Sequence, residues 1–515
     1  MIGSDIGANF VLGVLGAGNM GRGIAQVAAQ GGINVLLADA KPGAAGEGRD
    51  FAAKMLARAA EKGQLSAADA EAAARRIQVV DGLADFARAH VVIEAIVENL
   101  AIKQQTFVEL DGICGPDTVI ATNTSSLLVT NVGAKCKHQA RIAGMHFFNP
   151  VPLMALVEVI AGPRTDPAAV ALLMALGKRL GRTPVQVKDS PGFLVNHGGR
   201  AYTTEALRLV QESVASIVEI DRIAREAGGF RMGPFELMDL TGMDVNFPAS
   251  HALFEQFFGD PRYRTTWLHR QMYEAGLLGR KTGQGFYRYG EGGKLEQPAE
   301  PPGPTAKPGA VWLWGHDAAA RAKLKALASA AGVKIASGDK PPVGTLALVA
   351  PLADDATTTA LALGSDPRRT VAVDTMMGWT KRRTVMVPPG ADAVAVNEAL
   401  ALAGADGVKV TRVNDSPGFV MPRIQAVIAN MGAEICQQGI ASGADVDLAM
   451  KLGLNYPVGP LEGGDKLGGR VTLSLLEGLH RLTGDDRYRP CPWLRRRALL
   501  GLPLGTPERV GGGHD

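Results

Sequence analysis

The run Asp189-Ser-Pro-Gly-Phe returns as Asp415-Ser-Pro-Gly-Phe, 226 positions further along the chain. The same shift lays Gly233-Pro234 on Gly459-Pro460, Glu236 on Glu462, Asp239 on Asp465 and Trp267 on Trp493. So long a period signals duplicated domains, because solenoid units repeat every ~20–50 residues. A chain of 515 residues has room for two copies, each able to bury its own core. The echo is uneven, however. The first copy continues into Asn196, whereas the second places Pro422 there, which offers neither an amide side chain nor a backbone donor.

Punctuation sets the boundaries. Residues 296–309 (EQPAEPPGPTAKPG) are crowded with proline and glycine and read as a semi-rigid linker. Alternating strand and helix patterns fill residues 1–189, and a mainly helical stretch fills 190–290. After a linker over 291–309 the order returns, with strand-like runs such as TLALVA and TVAVDT in 310–410 and helices over 411–515.

Composition narrows the function classes. The chain is 46% hydrophobic and 20% charged with a net charge of +3, which suits a soluble globular protein and not a binder of nucleic acid or membrane surfaces. Arg495–Arg497 reads as a solvated helix face. No apolar stretch approaches the ~18 residues of a membrane helix. An N-terminus carrying Asp5 does not read as a signal peptide. Cys114, Cys136, Cys436 and Cys491 lack paired or metal-like spacing, so reduced thiols and a cytoplasmic setting are expected, and no metal is implied.

The run FVLGVLGAGNMGRGIAQVAAQGGINVLLADA opens as a buried strand, turns on Gly16, Gly18 and Gly21, and continues as an amphipathic helix. Gly16 permits the tight turn, Gly18 lets backbone approach a pyrophosphate, and Gly21 allows helix to pack on strand. Asp39 closes the next strand, placed to accept hydrogen bonds from an adenosine ribose. Its charge favours NAD over NADP. No such triplet occurs between Ala310 and Val410. The chain is therefore expected to be α/β: a Rossmann-type NAD-binding domain, an all-α helical domain for substrate and pairing, a degenerate Rossmann-like domain and a second helical domain.

GMHFFNPVPLMALVEVI (144–160) carries the chemistry. Glu158 lies in an apolar strand-like run, where an isolated charge is costly unless paired, and His146 can supply the partner. Imidazole and carboxylate together make a general base. Taken alone, the two residues read equally well as a core histidine and a surface glutamate.

With GAGNMGRGIAQ, VVIEAIVENLAIKQ, NTSSL, HFFNPVP, DSPGFLVN, GPFELMDLTG and GRKTGQGFY in order, residues 10–290 resemble an (S)-3-hydroxyacyl-CoA dehydrogenase. The resemblance implies a His146–Glu158 dyad, with Ser125 and Asn196 holding the substrate's C3 oxygen. It implies cofactor contacts from Gly16, Gly18, Asn19, Met20, Gly21, Asp39, Glu98 and Lys103, and substrate contacts from Asn149 and Lys62. From the residues alone, Ser125 reads also as a helix cap and Lys62 as a solvated side chain. His197 departs from the family, which usually has arginine there. An acyl-CoA is the implied substrate, oxidised in a cleft between the first two domains. Duplicated members of this length resemble 3-hydroxybutyryl-CoA dehydrogenases and the 3-hydroxyadipyl-CoA dehydrogenases of phenylacetate breakdown. A dehydrogenase using a catalytic lysine would leave HFFNP and Glu158 without a task. A non-enzymatic structural relative that keeps the nucleotide site is the reading from another class. Family members pair through their helical domains, so residues 411–515 are expected to pack on 190–290 as a built-in partner, with further homodimerisation open.

Overall fold

The computed structural model describes residues 6–508 apart from residue 8; Asp5 and positions 509–515 of the second helical region lie outside them. Eight strands form the first sheet: β1 (Val11–Leu15), β2 (Asn34–Ala38), β3 (Ile77–Val79), β4 (Val91–Glu94), β5 (Val119–Thr122), β6 (Ile142–Phe147), β7 (Leu156–Ala161) and β8 (Thr183–Lys188). Their order is β3-β2-β1-β4-β5-β6-β7-β8, parallel throughout except where β7 runs against β6. Helices cover the sheet, so its central strands read as continuous apolar runs instead of alternating ones.

A short hairpin of β9 (Arg288–Tyr289) and β10 (Leu295–Glu296) follows, so regular structure extends into the stretch read as linker. The second sheet holds β11 (Ala310–Gly315), β12 (Lys334–Ile335), β13 (Leu346–Ala350), β14 (Thr370–Val373), β15 (Arg382–Val387) and β16 (Lys409–Asn414), in the order β12-β11-β13-β14-β15-β16. Here too one strand is reversed, β15 against β14. β15 and β16 lie 226 positions from β7 and β8 at both ends.

The shared Asp-Ser-Pro-Gly-Phe run does the same structural work twice. Asp189 accepts from the amides of Val129 and Thr130 at 2.9 and 2.8 Å, and Asp415 from those of Ala356 and Thr357 at 2.7 and 3.0 Å. Each aspartate thus satisfies free N–H groups at a helix start. The next turn needs two left-handed residues: Gly192 and Phe193 sit at φ 70° and 50°, Gly418 and Phe419 at 72° and 56°. Phenylalanine in that region costs about 1–2 kcal/mol, offset here by burying the ring completely.

The chain gathers into two compact units. One holds the residues up to His197 together with Gln438–Leu454, and the other holds Gly198–Gln437 together with the residues from Asn455 on. In the first, the Lys188 amide donates to the Ile440 carbonyl at 2.8 Å, and the Gly443–Leu454 helix packs on β7 and β8. In the second, the Asn414 amide donates to the Val214 carbonyl at 2.8 Å, and the Ile217–Glu226 helix packs on β15. The two bonds are related by the 226-residue shift. Each sheet is therefore covered by a segment that belongs, by sequence, to the other copy.

Within the second unit the Arg200–Gln211 helix lies on the Met421–Gln437 helix. Between them Glu205, fully buried, accepts from Arg423 at 2.6 Å, Arg487 at 3.0 Å and Tyr488 at 2.9 Å. Burial alone would raise the Glu205 carboxyl, but the two guanidinium groups hold it below the ordinary glutamate range. Arg382 on β15 is buried too and pairs with Glu226 at 3.2 Å and Glu300 at 2.6 Å.

Candidate active site

Helix Asn19–Gln30 begins at Gly18 with no side-chain cap, which leaves its first N–H groups open to an anion. Gly16 has φ 100°, and a Cβ there would meet the Ala95 carbonyl oxygen at 2.5 Å. A Cβ on Gly21 would land on the Gly16 carbonyl, while one on Gly18 meets nothing within 4 Å. The triplet thus supplies a tight turn, a close packing contact and a clear approach. Asp39 accepts from the Ala17 amide at 2.7 Å and the Lys41 amide at 2.8 Å, so its carboxylate is pinned beside the glycine turn. These residues fit a dinucleotide with a free 2′-hydroxyl. Met20 is half-buried against the core, and Asn19 is exposed and accepts from Arg22 at 2.6 Å.

The reversal of β7 against β6 places His146 directly opposite Glu158. His146 Nδ1 lies 2.6 Å from Glu158 Oε2, with His146 5% and Glu158 0% exposed. The other carboxylate oxygen accepts from the amides of Leu194 and Val195 at 3.1 and 2.8 Å. Those donors come from the helical turn after Gly192-Phe193, so the repeated turn also seats this carboxylate. An ionised carboxylate only accepts, so Nδ1 carries the proton of neutral His146 and Nε2 keeps its lone pair. Phe148 and Phe193 flank the imidazole, with ring centroids 4.6 and 5.9 Å away.

Ser125, in the loop after β5, is exposed, and its carbonyl accepts from Asn196 Nδ2 at 3.3 Å. Asn123 Oδ1 accepts from the Phe147 amide at 2.8 Å, which ties that loop to the histidine strand. His197, next to Asn196, is wholly buried, and burial pushes its imidazole down to about 3, so it stays neutral. Its amide donates to the Gly192 carbonyl at 3.1 Å, which closes the turn.

Glu98 accepts from Thr124 and, at 2.8 Å, from Ser126. Burial would raise this carboxyl, but the Thr124 hydroxyl and the Lys103 ammonium, 3.2 Å away, hold it below its usual range. Lys103 is 1% exposed and bonds Glu94 at 2.5 Å. Glu94, fully buried, also accepts from the Ile96 amide at 2.7 Å and Thr122 at 2.8 Å. Lys103 therefore belongs to a buried network beneath the loop. Lys62 is exposed at the end of the Ala44–Glu61 helix, and Asn149 is exposed before Pro150. Among the described residues no group of three His, Cys, Asp or Glu side chains could hold a metal. No helix among them is long and apolar enough to cross a membrane.

The sequence reading passed over Glu94, Asn123 and Thr124. Glu94 carries the same signal that singled out Glu158, a carboxylate inside an apolar strand.

In the second sheet the Asp374 amide donates to the Thr384 carbonyl at 2.9 Å, so these residues face each other across the reversed pair. Asp374 Oδ1 accepts from the amides of Met376 and Met377 at 2.7 and 3.1 Å. Full burial pushes its carboxyl up to about 7 despite those bonds. An imidazole and its carboxylate are replaced by one buried acid and a hydroxyl.

A model of the 3-hydroxyacyl-CoA dehydrogenase NAD-binding domain matches residues 11–190, and the model of that family's C-terminal domain matches 192–289 and again 418–508. The 3-hydroxyadipyl-CoA dehydrogenase of Escherichia coli K12 is 36% identical over 490 residues, which is 95% of this chain and 97% of the relative. A probable 3-hydroxybutyryl-CoA dehydrogenase of Bacillus subtilis 168 is 42% identical over 278 residues, 54% of this chain and 96% of its own. The crystal structure of 3-hydroxybutyryl-CoA dehydrogenase from E. coli K12 superposes with a TM-score of 0.83 at 34% identity, covering 96% of this chain and 99% of that one.

Proposed function

The chain belongs to the 3-hydroxyacyl-CoA dehydrogenase family and is an NAD-dependent oxidoreductase; from that premise we propose how its residues divide the work. The carrying observation is the buried His146–Glu158 contact at 2.6 Å, with Glu158 held from behind by two amides. His146 Nε2 takes the proton of the substrate's 3-hydroxyl. Glu158 stabilises the imidazolium that forms, and Ser125 with Asn196 fix the C3 oxygen. NAD, when bound, supplies the hydride acceptor. Gly16, Gly18 and Gly21 with the free amides of the Asn19–Gln30 helix hold its pyrophosphate, and Asp39 holds its adenosine ribose. Glu98 faces the nicotinamide ribose, and Lys103 keeps Glu98 ionised.

The substrate is a (S)-3-hydroxyacyl-CoA. One relative that matches over 95% of the chain is described as a 3-hydroxyadipyl-CoA dehydrogenase, which supports an acyl chain ending in a carboxylate and a place in phenylacetate-type catabolism. Half-length relatives described as 3-hydroxybutyryl-CoA dehydrogenases support a short chain instead. Ranking kcat/KM for 3-hydroxybutyryl-, 3-hydroxyhexanoyl- and 3-hydroxyadipyl-CoA by NADH absorbance decides between them. No NADH from any of the three would refute the assignment. The second copy serves as a built-in partner, a role supported by Glu205 and its contacts with Arg423 and Arg487. Four buried free cysteines fit a reducing, cytoplasmic setting.

A further inference from the structure

The second copy lacks the dyad, yet part of it lies against the dyad's support. The Gly443–Leu454 helix belongs to the compact unit of the first sheet. Its buried residues Val446, Ala449 and Met450 form one stripe, and Gly453 continues that stripe at the spacing of a helix face. A Cβ on Gly453 would stand 3.1 Å from Leu156 Cδ2 and 3.1 and 3.2 Å from the two methyls of Val195. Both neighbours bear on the dyad. Leu156 lies on β7, two residues before Glu158, and Val195 donates its amide to Glu158 Oε1 at 2.8 Å. The Lys188–Ile440 backbone bond fixes the approach to this helix at the end of β8.

We propose that Gly453, in the copy without a dyad, is a positioning residue for the dyad of the other copy. With no side chain, it lets the helix press directly on Val195 and Leu156 and so sets where the Val195 amide meets Glu158. A larger residue would push Val195 and its amide away from the carboxylate. Displacements of about 1 Å near a reacting centre can cost ~100-fold in rate. The effect acts through Glu158 and leaves the nucleotide cradle alone, since Gly16, Gly18 and Asp39 are tied to other strands. This inference rests on His146 and Glu158 being the catalytic dyad.

The test is a double-mutant cycle in the full chain. Gly453→Val is expected to lower kcat about 10- to 100-fold, with NADH affinity by fluorescence titration within about two-fold of the parent. Gly453→Ala is expected to cost about two- to five-fold, because its single methyl needs only a few tenths of an ångström. In a Val195→Ala background, with the opposing methyls removed, both effects should shrink at least several-fold. Leu176→Ala, a core change in the same unit, serves as the stability control and should lower Tm while sparing kcat. If Gly453→Val does not fold, Gly453→Ala carries the same cycle. Full kcat in the Gly453 variants, an undiminished loss in the Val195→Ala background, or an equal loss of NADH affinity would each overturn the proposal. His146→Asn separates the two levels: retained turnover there defeats the dyad, whereas lost turnover beside unaffected Gly453 variants defeats only the positioning role.

Discussion

Glu205 and Arg423, 218 positions apart, form an ion pair at 2.6 Å in which neither side chain is exposed. Removing Arg423 leaves the buried Glu205 charge to Arg487 and Tyr488 alone, and breaking a buried pair typically costs about 3–5 kcal/mol. Arg423→Met should therefore unfold at clearly lower urea concentration at pH 7. The pH dependence has a definite sign. The Glu205 carboxyl is depressed in the folded chain, so its contribution is present above the ordinary glutamate value of about 4.3 and is lost as pH falls through the folded value. The gap between parent and variant should narrow as pH drops below about 4. A constant gap would show that the ion pair is not its source.

His146→Asn should reduce turnover by about 10²–10⁴-fold, the usual worth of a positioned acid–base group. NADH affinity should barely change. Glu158→Gln should lose much of the same factor, because an amide cannot stabilise the imidazolium. Turnover within a few-fold of the parent in the histidine variant would remove it from the role.

Cofactor choice should follow Asp39. The carboxylate is pinned by the Ala17 and Lys41 amides, so a 2′-phosphate would meet its charge directly. NAD should be strongly preferred in kcat/KM, and Asp39→Ser should narrow the ratio. Equal use of both cofactors by the parent would show that Asp39 faces elsewhere.

Asp374 offers an opposite pH signature. Its carboxyl stays protonated in the folded chain up to about 7, whereas an unfolded aspartate ionises near ~3.9. Between those values the folded state holds the extra proton, so stability falls by up to about 1.4 kcal/mol per pH unit as pH rises, then levels off. Asp374→Asn keeps an oxygen for the Met376 and Met377 amides and has no proton to lose. Its unfolding free energy relative to the parent should climb from pH 4.5 to 7 and flatten by pH 8. Parallel curves would rule out a buried neutral acid.

Ending the chain near Ala299 would strip Glu205 of Arg423 and Arg487, and β7 of the Gly443–Leu454 helix. The fragment 1–298 should dimerise or aggregate in sedimentation runs. A monomeric, soluble and fully active fragment would refute the built-in partner.

Motifs with local causes were legible in the sequence. The glycine cradle, the strand before it and Asp39 all follow from steric and electrostatic demands within 30 residues. The His146–Glu158 contact was legible as a mismatch, a carboxylate in an apolar run, although the strand reversal that brings the two residues opposite each other is set by sheet topology. Nothing local marked the Leu194 and Val195 amides as donors, because every residue has one and only the turn aims these. Lys103 was expected as a cofactor contact, and nothing local showed that it would be buried, because its burial depends on Glu94 nine residues earlier lying at the end of the preceding strand. The placement of Gln438–Leu454 against the first sheet was likewise hidden, since its apolar stripe does not say which sheet it covers.

The 226-residue shift that sets Leu156 on β7 sets Arg382 on β15. Leu156 meets the overlying helix with methyl groups, while Arg382 meets its counterpart with a charge shared between Glu226 and Glu300. Two separate, identical subunits could not divide the contacts in this way, because one gene writes both faces of a symmetric interface and any arginine would appear twice. Joining the copies in one chain breaks that symmetry. One contact is free to specialise as a clasp locked by ions while the other stays a smooth apolar bearing beside Glu158, and a mutation can alter either without touching its mirror image.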